Sequence, residues 1–296
     1  MKKLIQLFGT VNFVIFMTVL ISWMIVVFIH GIIGAYAWLA IKFLIPFLGI
    51  IGSVTTLIWI IVTIVKNNKK LAPKLLAMFM YIILAAHLLL TMNLVQLKYP
   101  VHINNLKPSV TVKWPLAKQT VVGWGGDSTK TNLPHVIWPS ERFAYDLVME
   151  PYQTGSKNLE DYGIWNQEVL SPVSGIIVGS YDKESDIEPG SEEFLSMEGN
   201  YVYIKIDSTE TYLLLNHLQK DSVLVKVGDR VDEGDILGRV GNSGSTSEPH
   251  LHIHHQRQDP AKTIYPILAE GLPLYFNGID VENLPQKGAT VTPVSK

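Results

Sequence analysis

Four of the nine histidines fall in one short stretch, SEPHLHIHHQ (residues 247–256): His250, His252, His254 and His255. On a β-strand, residues two apart face the same way, about 6.6 Å along the chain. His250, His252 and His254 therefore share one face, and His255 takes the other. Two imidazoles so placed can bind a metal together, or one can bind while its neighbour moves protons. A surface row or a pH-sensitive patch would show the same pattern. The chain has no cysteine, which excludes disulfides and thiolate ligands. Any metal site must be assembled from histidine and carboxylate.

The surroundings of this strand narrow the choice. A Gly/Ser turn, GNSGSTS (241–247), leads to Glu248-Pro249 and exposes the start of the strand. Upstream, LLLNHLQ places His217 at the end of a strongly apolar strand, and VKVGDRVDEGDILGRVG supplies a turn, a strand and a turn. In order and spacing, NHL, VKVGDRVDEGDILGRVGNSGSTS and PHLH over residues 214–253 resemble the lysostaphin-type zinc metallopeptidases, the LytM-like peptidoglycan endopeptidases. Weaker similarity runs through SPVSGIIVGS and EGNYVYIKI back to about residue 120, so the resemblance spans roughly 120–265.

The resemblance implies a role for each residue. His252, the second histidine of H-x-H, is expected to bind Zn2+, and Asp146 in RFAYDLV occupies the family's aspartate-ligand position. His217 and His250 are expected to be the non-ligand catalytic pair, one acting as general base. Zinc would polarise the peptide carbonyl and lower the pKa of its water. Four residues before Asp146, where the family carries its first histidine ligand, this chain has Arg142. A guanidinium has no lone pair to give a metal. If HVIWPSERFAYD is a hairpin turning at Ser140-Glu141, His135 lies across from Asp146 with Cβ atoms about 5 Å apart. His135 is then expected to supply the missing ligand, and Arg142 to bind a substrate carboxylate or pair with an acid. In the other reading, His135 is an ordinary polar strand residue and the site is degenerate. The resemblance gives His254 and His255 no role; they read as groove wall or surface. Trp124, Trp138, Tyr145 and Trp165 read as groove lining or core.

The elements that must position these residues are mostly strands. TVVGWGG, HVIWP, FAYDLVM, SGIIVGSY, NYVYIKI, TYLLLNHL, DILGRVG and HLHIHH are short, β-rich and separated by turn residues. They predict an all-β antiparallel sandwich or open-barrel peptidase domain over residues 116–280, with a linker at 99–115 and a tail at 281–296. Residues 150–168 and 182–198 read as polar loops with solvated acids.

Residues 1–98 differ in kind. Val11–Ile32, Phe43–Val65 and a stretch within Leu71–Leu97 are apolar runs, and 22 residues of helix rise about 33 Å, enough to span a bilayer. Three transmembrane α-helices are expected. Lys66, Lys69, Lys70 and Lys74 crowd the second connection and Lys42 alone marks the first, which places the second in the cytoplasm and the β domain outside. His30 and His87 read as interfacial or helix-contact residues.

The net charge of −2 gives no footprint for nucleic acid. The expected protein is a membrane-anchored, multi-pass zinc metalloendopeptidase with an extracytoplasmic domain acting on peptidoglycan peptides. The alternative is a degenerate domain that binds cell wall or regulates a partner hydrolase. A phosphocarrier or biotinyl domain also suits glycine-punctuated strands. The first, however, must face the cytoplasm, and the second needs a lysine in an M-K-M hairpin that is not found here.

Overall fold

The structure, a computed structural model, describes residues 2–29, 32–66, 71–92, 94–95, 103–136, 138–264 and 266–294. His30 and much of the expected linker lie outside the described residues. The chain divides into two compact units, Met1–Val101 and His102–Lys296.

The first unit is helical: α1 (Lys2–Phe28), α2 (Ile32–Leu39), α3 (Ile45–Val65), α4 (Ala72–Ala85) and α5 (Leu88–Thr91). Three stretches are long and apolar enough to cross a membrane: Gly9–Phe28, Ile33–Val65 and Ala72–Thr91. The second begins before the expected Phe43, because a short π-helix at Ala40–Leu44 joins α2 to α3. Lys42, read from sequence as part of a connection, therefore sits inside this helical stretch. It is buried, with its ammonium over the rings of Trp38 and Phe43. Glycines let α3 and α4 pack closely. A Cβ on Gly49 would stand 2.1 Å from the Ala85 backbone nitrogen, and one on Gly52 would overlap the Tyr81 ring. His87 is a helix-contact residue, accepting a hydrogen bond from Trp23 Nε1 at 3.1 Å.

The second unit contains strands β1 (Val110–Lys113), β2 (Thr120–Trp124), β3 (Tyr145–Val148), β4 (Glu168–Leu170), β5 (Gly175–Tyr181), β6 (Asn200–Ile206) and β7 (Tyr212–Leu218). They are followed by β8 (Arg230–Val231), β9 (Ile236–Arg239), β10 (Leu251–Gln256), β11 (Gly271–Leu272), β12 (Leu274–Asn277) and β13 (Thr290–Val291). A nine-stranded antiparallel sheet runs in the order β13-β2-β3-β10-β7-β6-β5-β8, with β11 also against β10. β4 and β9 form an antiparallel pair, and β1 and β12 a parallel one. No closed barrel forms among the described residues. β13, in the stretch read as a tail, pairs with β2.

The histidine strand lies in the middle of the large sheet, between β3 and β7. Its period of two divides its side chains. Leu251 and Ile253 enter a core that also holds Tyr145, Leu147, Leu213 and Leu215. His252, His254 and Gln256 face a cleft on the opposite side. Every residue of β10 is buried, because loops roof the polar face.

One of those loops is tied down by acids that the sequence reading left in solvent. Glu184 is buried, and its carboxylate accepts hydrogen bonds from the amides of Leu195 and Ser196 and from the Ser196 hydroxyl. Asp186 accepts from the amides of Lys220 and Asn242. Loop amides with no ladder partner recruit these carboxylates.

HVIWP is not a strand. Ser128 caps a short helix, α6 (Thr129–Asn132), and the chain continues in turns through Val136. The amides of His135 and Val136 both bond back to Asn132 O. Pro134 and Pro139 flank this segment, and a proline nitrogen has no hydrogen to give a ladder. The expected hairpin with Asp146 is therefore replaced. β3 pairs with β2 on one side and β10 on the other.

A candidate metal centre

Strand register brings the first two site residues together. Asp146 on β3 lies directly opposite His252 on β10, and His252 Nδ1 is 2.9 Å from Asp146 Oδ1. His135 reaches the same carboxylate from the turn after α6, with Nε2 3.2 Å from Asp146 Oδ2. One potential ligand atom from each of His135, Asp146 and His252 lies within 4.8 Å of the other two. His135 thus reaches the Asp146 carboxylate from a turn, not from across a hairpin on a neighbouring strand.

The hydrogen bonds behind these side chains decide which atoms they present. Asn132 Nδ2 donates to Gly126 O and Ala144 O, which leaves its Oδ1 to accept from His135 Nδ1 at 2.7 Å. The His135 Nε2 lone pair therefore points at Asp146. His252 Nε2 is engaged by His254 Nδ1 at 2.9 Å, so its Nδ1 is the atom turned towards the carboxylate. Two imidazole nitrogens and a carboxylate are grouped closely enough to hold a cation. Burial works against charge on both His135 and Asp146, but their mutual attraction wins. It raises the pKa of His135 and holds Asp146 well below the usual carboxylate range.

His217 and His250 form a second pair, with ring centroids 4.6 Å apart. Each is anchored through Nδ1 to a carbonyl. His217 donates to Ser243 O and His250 to Glu248 O, both at 2.8 Å. Their Nε2 atoms are left for chemistry, and that of His250 stands 3.6 Å from Asp146 Oδ1. His217 has φ +62°, a left-handed conformation rare for a bulky residue. A register shift between β6 and β7 accompanies it and turns the ring into the cleft. Burial pushes the pKa of His217 well below the usual imidazole range.

Arg142 does not enter the centre. It is buried, ion-paired with Asp127 and stacked over the Phe143 ring. This is the acid partner that one branch of the sequence reading foresaw. Trp124 and Trp138 line the cleft, whereas Tyr145 is fully buried in the core. The cleft has a volume of about 300 Å³.

Sequence reasoning passed over three residues. Asn132 orients His135, and nothing in its sequence context marks it. His254, read as groove wall or surface, contacts His252, and Gln256 contacts His254 at 3.2 Å. Their positions two and four residues beyond His252, on the same face of the strand, were the available signal. His255 faces the other way, between Thr211 Oγ1 and Pro273 O, and burial lowers its pKa to about 4.

Residues 161–263 match the model of Peptidase family M23. The match includes His217, His250 and His252 and stops short of Asp146 and His135. Peptidoglycan DD-endopeptidase ShyC of Vibrio cholerae is 46% identical over 54 residues, 18% of this chain and 12% of that protein. Endolysin 2638A of Staphylococcus phage 2638A is 32% identical over 94 residues, 30% of this chain and 19% of that protein. The chain therefore spans only a minor part of either relative. The catalytic domain of lysostaphin from Staphylococcus simulans is 19% identical, with 57% of this chain and 90% of that one covered at a TM-score of 0.30.

Proposed function

With residues 161–263 being a peptidase family M23 domain, we propose that the protein is a zinc metalloendopeptidase that hydrolyses peptide bonds of peptidoglycan. The convergence of His135 Nε2, Asp146 and His252 Nδ1 beside the His217–His250 pair carries this reading. His135, Asp146 and His252 would hold the zinc. A zinc ion bound there supplies Lewis-acid polarisation of the scissile carbonyl.

The chain's own groups do the rest. The carbonyl anchors at Nδ1 hold His217 and His250 with Nε2 towards the cleft. His217, kept neutral by its surroundings, has a lone pair with which to take a proton from the attacking water. The pair then faces the developing oxyanion, and the proton passes to the leaving amine. The names of ShyC and of the phage endolysin favour a cell-wall peptide as substrate. The apolar helices support a role as a membrane anchor, and the lysines at 66–74 favour an extracytoplasmic β domain, on the side where that substrate lies. With Lys42 inside a helical stretch, the lysine asymmetry between the two connections is sharper than the sequence reading took it to be.

The test is direct. Purified full-length protein should carry about one zinc per chain and release peptide fragments from purified peptidoglycan. Protein with no zinc and no cleavage after careful preparation overturns the proposal.

A further inference from the structure

Resting on the metal reading of the site, we infer that His254 and Gln256 are positioning residues. Through a directed chain of hydrogen bonds they lock the His252 ring with Nδ1 towards Asp146 and His135.

The direction of each bond follows from the far end. Gln256 Nε2 donates to Gln258 O at 2.7 Å, so its Oε1 is turned back to His254 Nε2 at 3.2 Å. An amide oxygen only accepts, so His254 Nε2 carries a hydrogen. His254 Nδ1 then offers a lone pair, and His252 Nε2, 2.9 Å away, donates to it. That places the proton of His252 on Nε2 and its lone pair on Nδ1, at 2.9 Å from Asp146 Oδ1.

The same chain can be followed from the other end. A cation on His252 Nδ1 leaves its only ring proton on Nε2, which needs an acceptor in a buried site. His254 is that acceptor, and it needs one in turn, which Gln256 supplies. Gln258 is itself pinned, because its Oε1 accepts from the amide of Glu270 at 2.7 Å. The tautomer of His252 is thus tied to the backbone beside β11.

Strand geometry makes the chain possible. Residues 252, 254 and 256 stand on one face about 6.6 Å apart, a gap that a ring nitrogen on each side can bridge. His254 and Gln256 are 4% and 0% exposed, so water does not compete for these bonds. A groove-wall role for His254 would leave metal binding untouched, whereas a positioning role changes it.

The experiment uses the full-length protein in detergent, stripped of metal and reloaded with Zn2+ or Co2+. Affinity is read by chelator competition, and ligand geometry by the visible spectrum of the Co2+ form. His254→Leu removes the acceptor and should weaken Zn2+ binding about 10- to 100-fold and alter the Co2+ spectrum. His254→Gln restores an acceptor and should bring affinity back to within about 3-fold of the parent. Gln256→Leu, one bond further away, should give a smaller loss in the same direction. The inference is overturned if His254→Leu binds Zn2+ like the parent with an unchanged Co2+ spectrum. It is equally overturned if a folded His254→Gln binds Zn2+ more than about 10-fold more weakly than the parent, a comparison that holds even if His254→Leu does not fold. A parent protein that binds no metal overturns the metal reading itself, a result distinct from either.

Discussion

His135 Nε2 and Asp146 Oδ2 lie 3.2 Å apart, although no strand pairing connects their segments. The imidazole is delivered by a turn behind α6 and aimed by the Asn132 side chain. It fills the side of the carboxylate that Arg142, four residues upstream of Asp146, leaves alone.

His135→Ala should therefore cost more zinc affinity than the roughly 10- to 100-fold expected for loss of an outer hydrogen-bond partner. Chelator competition on the full-length protein checks this. Retention of parental affinity would remove His135 from the ligand set.

Arg142→Ala should do the opposite. It removes the cation from a buried pair with Asp127, whose side chains are 3% and 11% exposed, and should cost about 3–5 kcal/mol of stability. Zinc content per folded chain should not change. Denaturant unfolding and metal analysis on one preparation measure both effects.

His217→Ala and His250→Ala should keep zinc and lose activity. Removal of a proton-transfer group typically costs about 10²- to 10⁴-fold in rate. Turnover of a peptidoglycan peptide, beside zinc content, separates this outcome from loss of the metal.

Acid should destabilise the β unit through its buried histidines. Burial lowers the pKa values of His217, His254 and His255, the last from 6.5 to about 4. Below pH 6.5 the unfolded chain then binds more protons than the folded one, so stability falls as pH drops. His255 alone should account for about 3 kcal/mol between pH 6.5 and 4. Asp146, depressed in the folded state, adds a further loss only as pH falls through its own low value. Hydrogen-exchange protection of peptides from β7 and β10, followed from pH 7.5 downward and corrected for intrinsic exchange rates, should fall accordingly. His255→Leu should flatten the profile between pH 6.5 and 4.

Topology can be read with thiols, because the chain has no cysteine. A membrane-impermeant maleimide should label Glu192→Cys in intact spheroplasts and leave Lys66→Cys unlabelled until the cells are lysed. The reverse pattern would place the β unit in the cytoplasm, away from the proposed substrate.

Much of the candidate site is legible in the sequence. Alternation along LHIHHQ separates His252 and His254 from Ile253 and His255, because a strand's side chains change face at every residue whatever surrounds it. The apolar run ahead of His217, the Gly/Ser turn before His250 and the three long apolar stretches are also local patterns with local physical causes. Lys42 was misplaced because a lysine in an apolar run looks like a boundary. Only packing against Trp38 and Phe43 shows that it is tolerated inside a helix.

The sequence by itself determined the inventory: histidines and one aspartate, no thiolate, a β domain behind apolar helices. The tertiary structure decided the partnerships. How His135 is aimed at Asp146, and which nitrogen His252 turns towards that carboxylate, depend on contacts with Asn132 and His254. Such contacts depend on the distance and direction between particular atoms, which the packed turns and strands set.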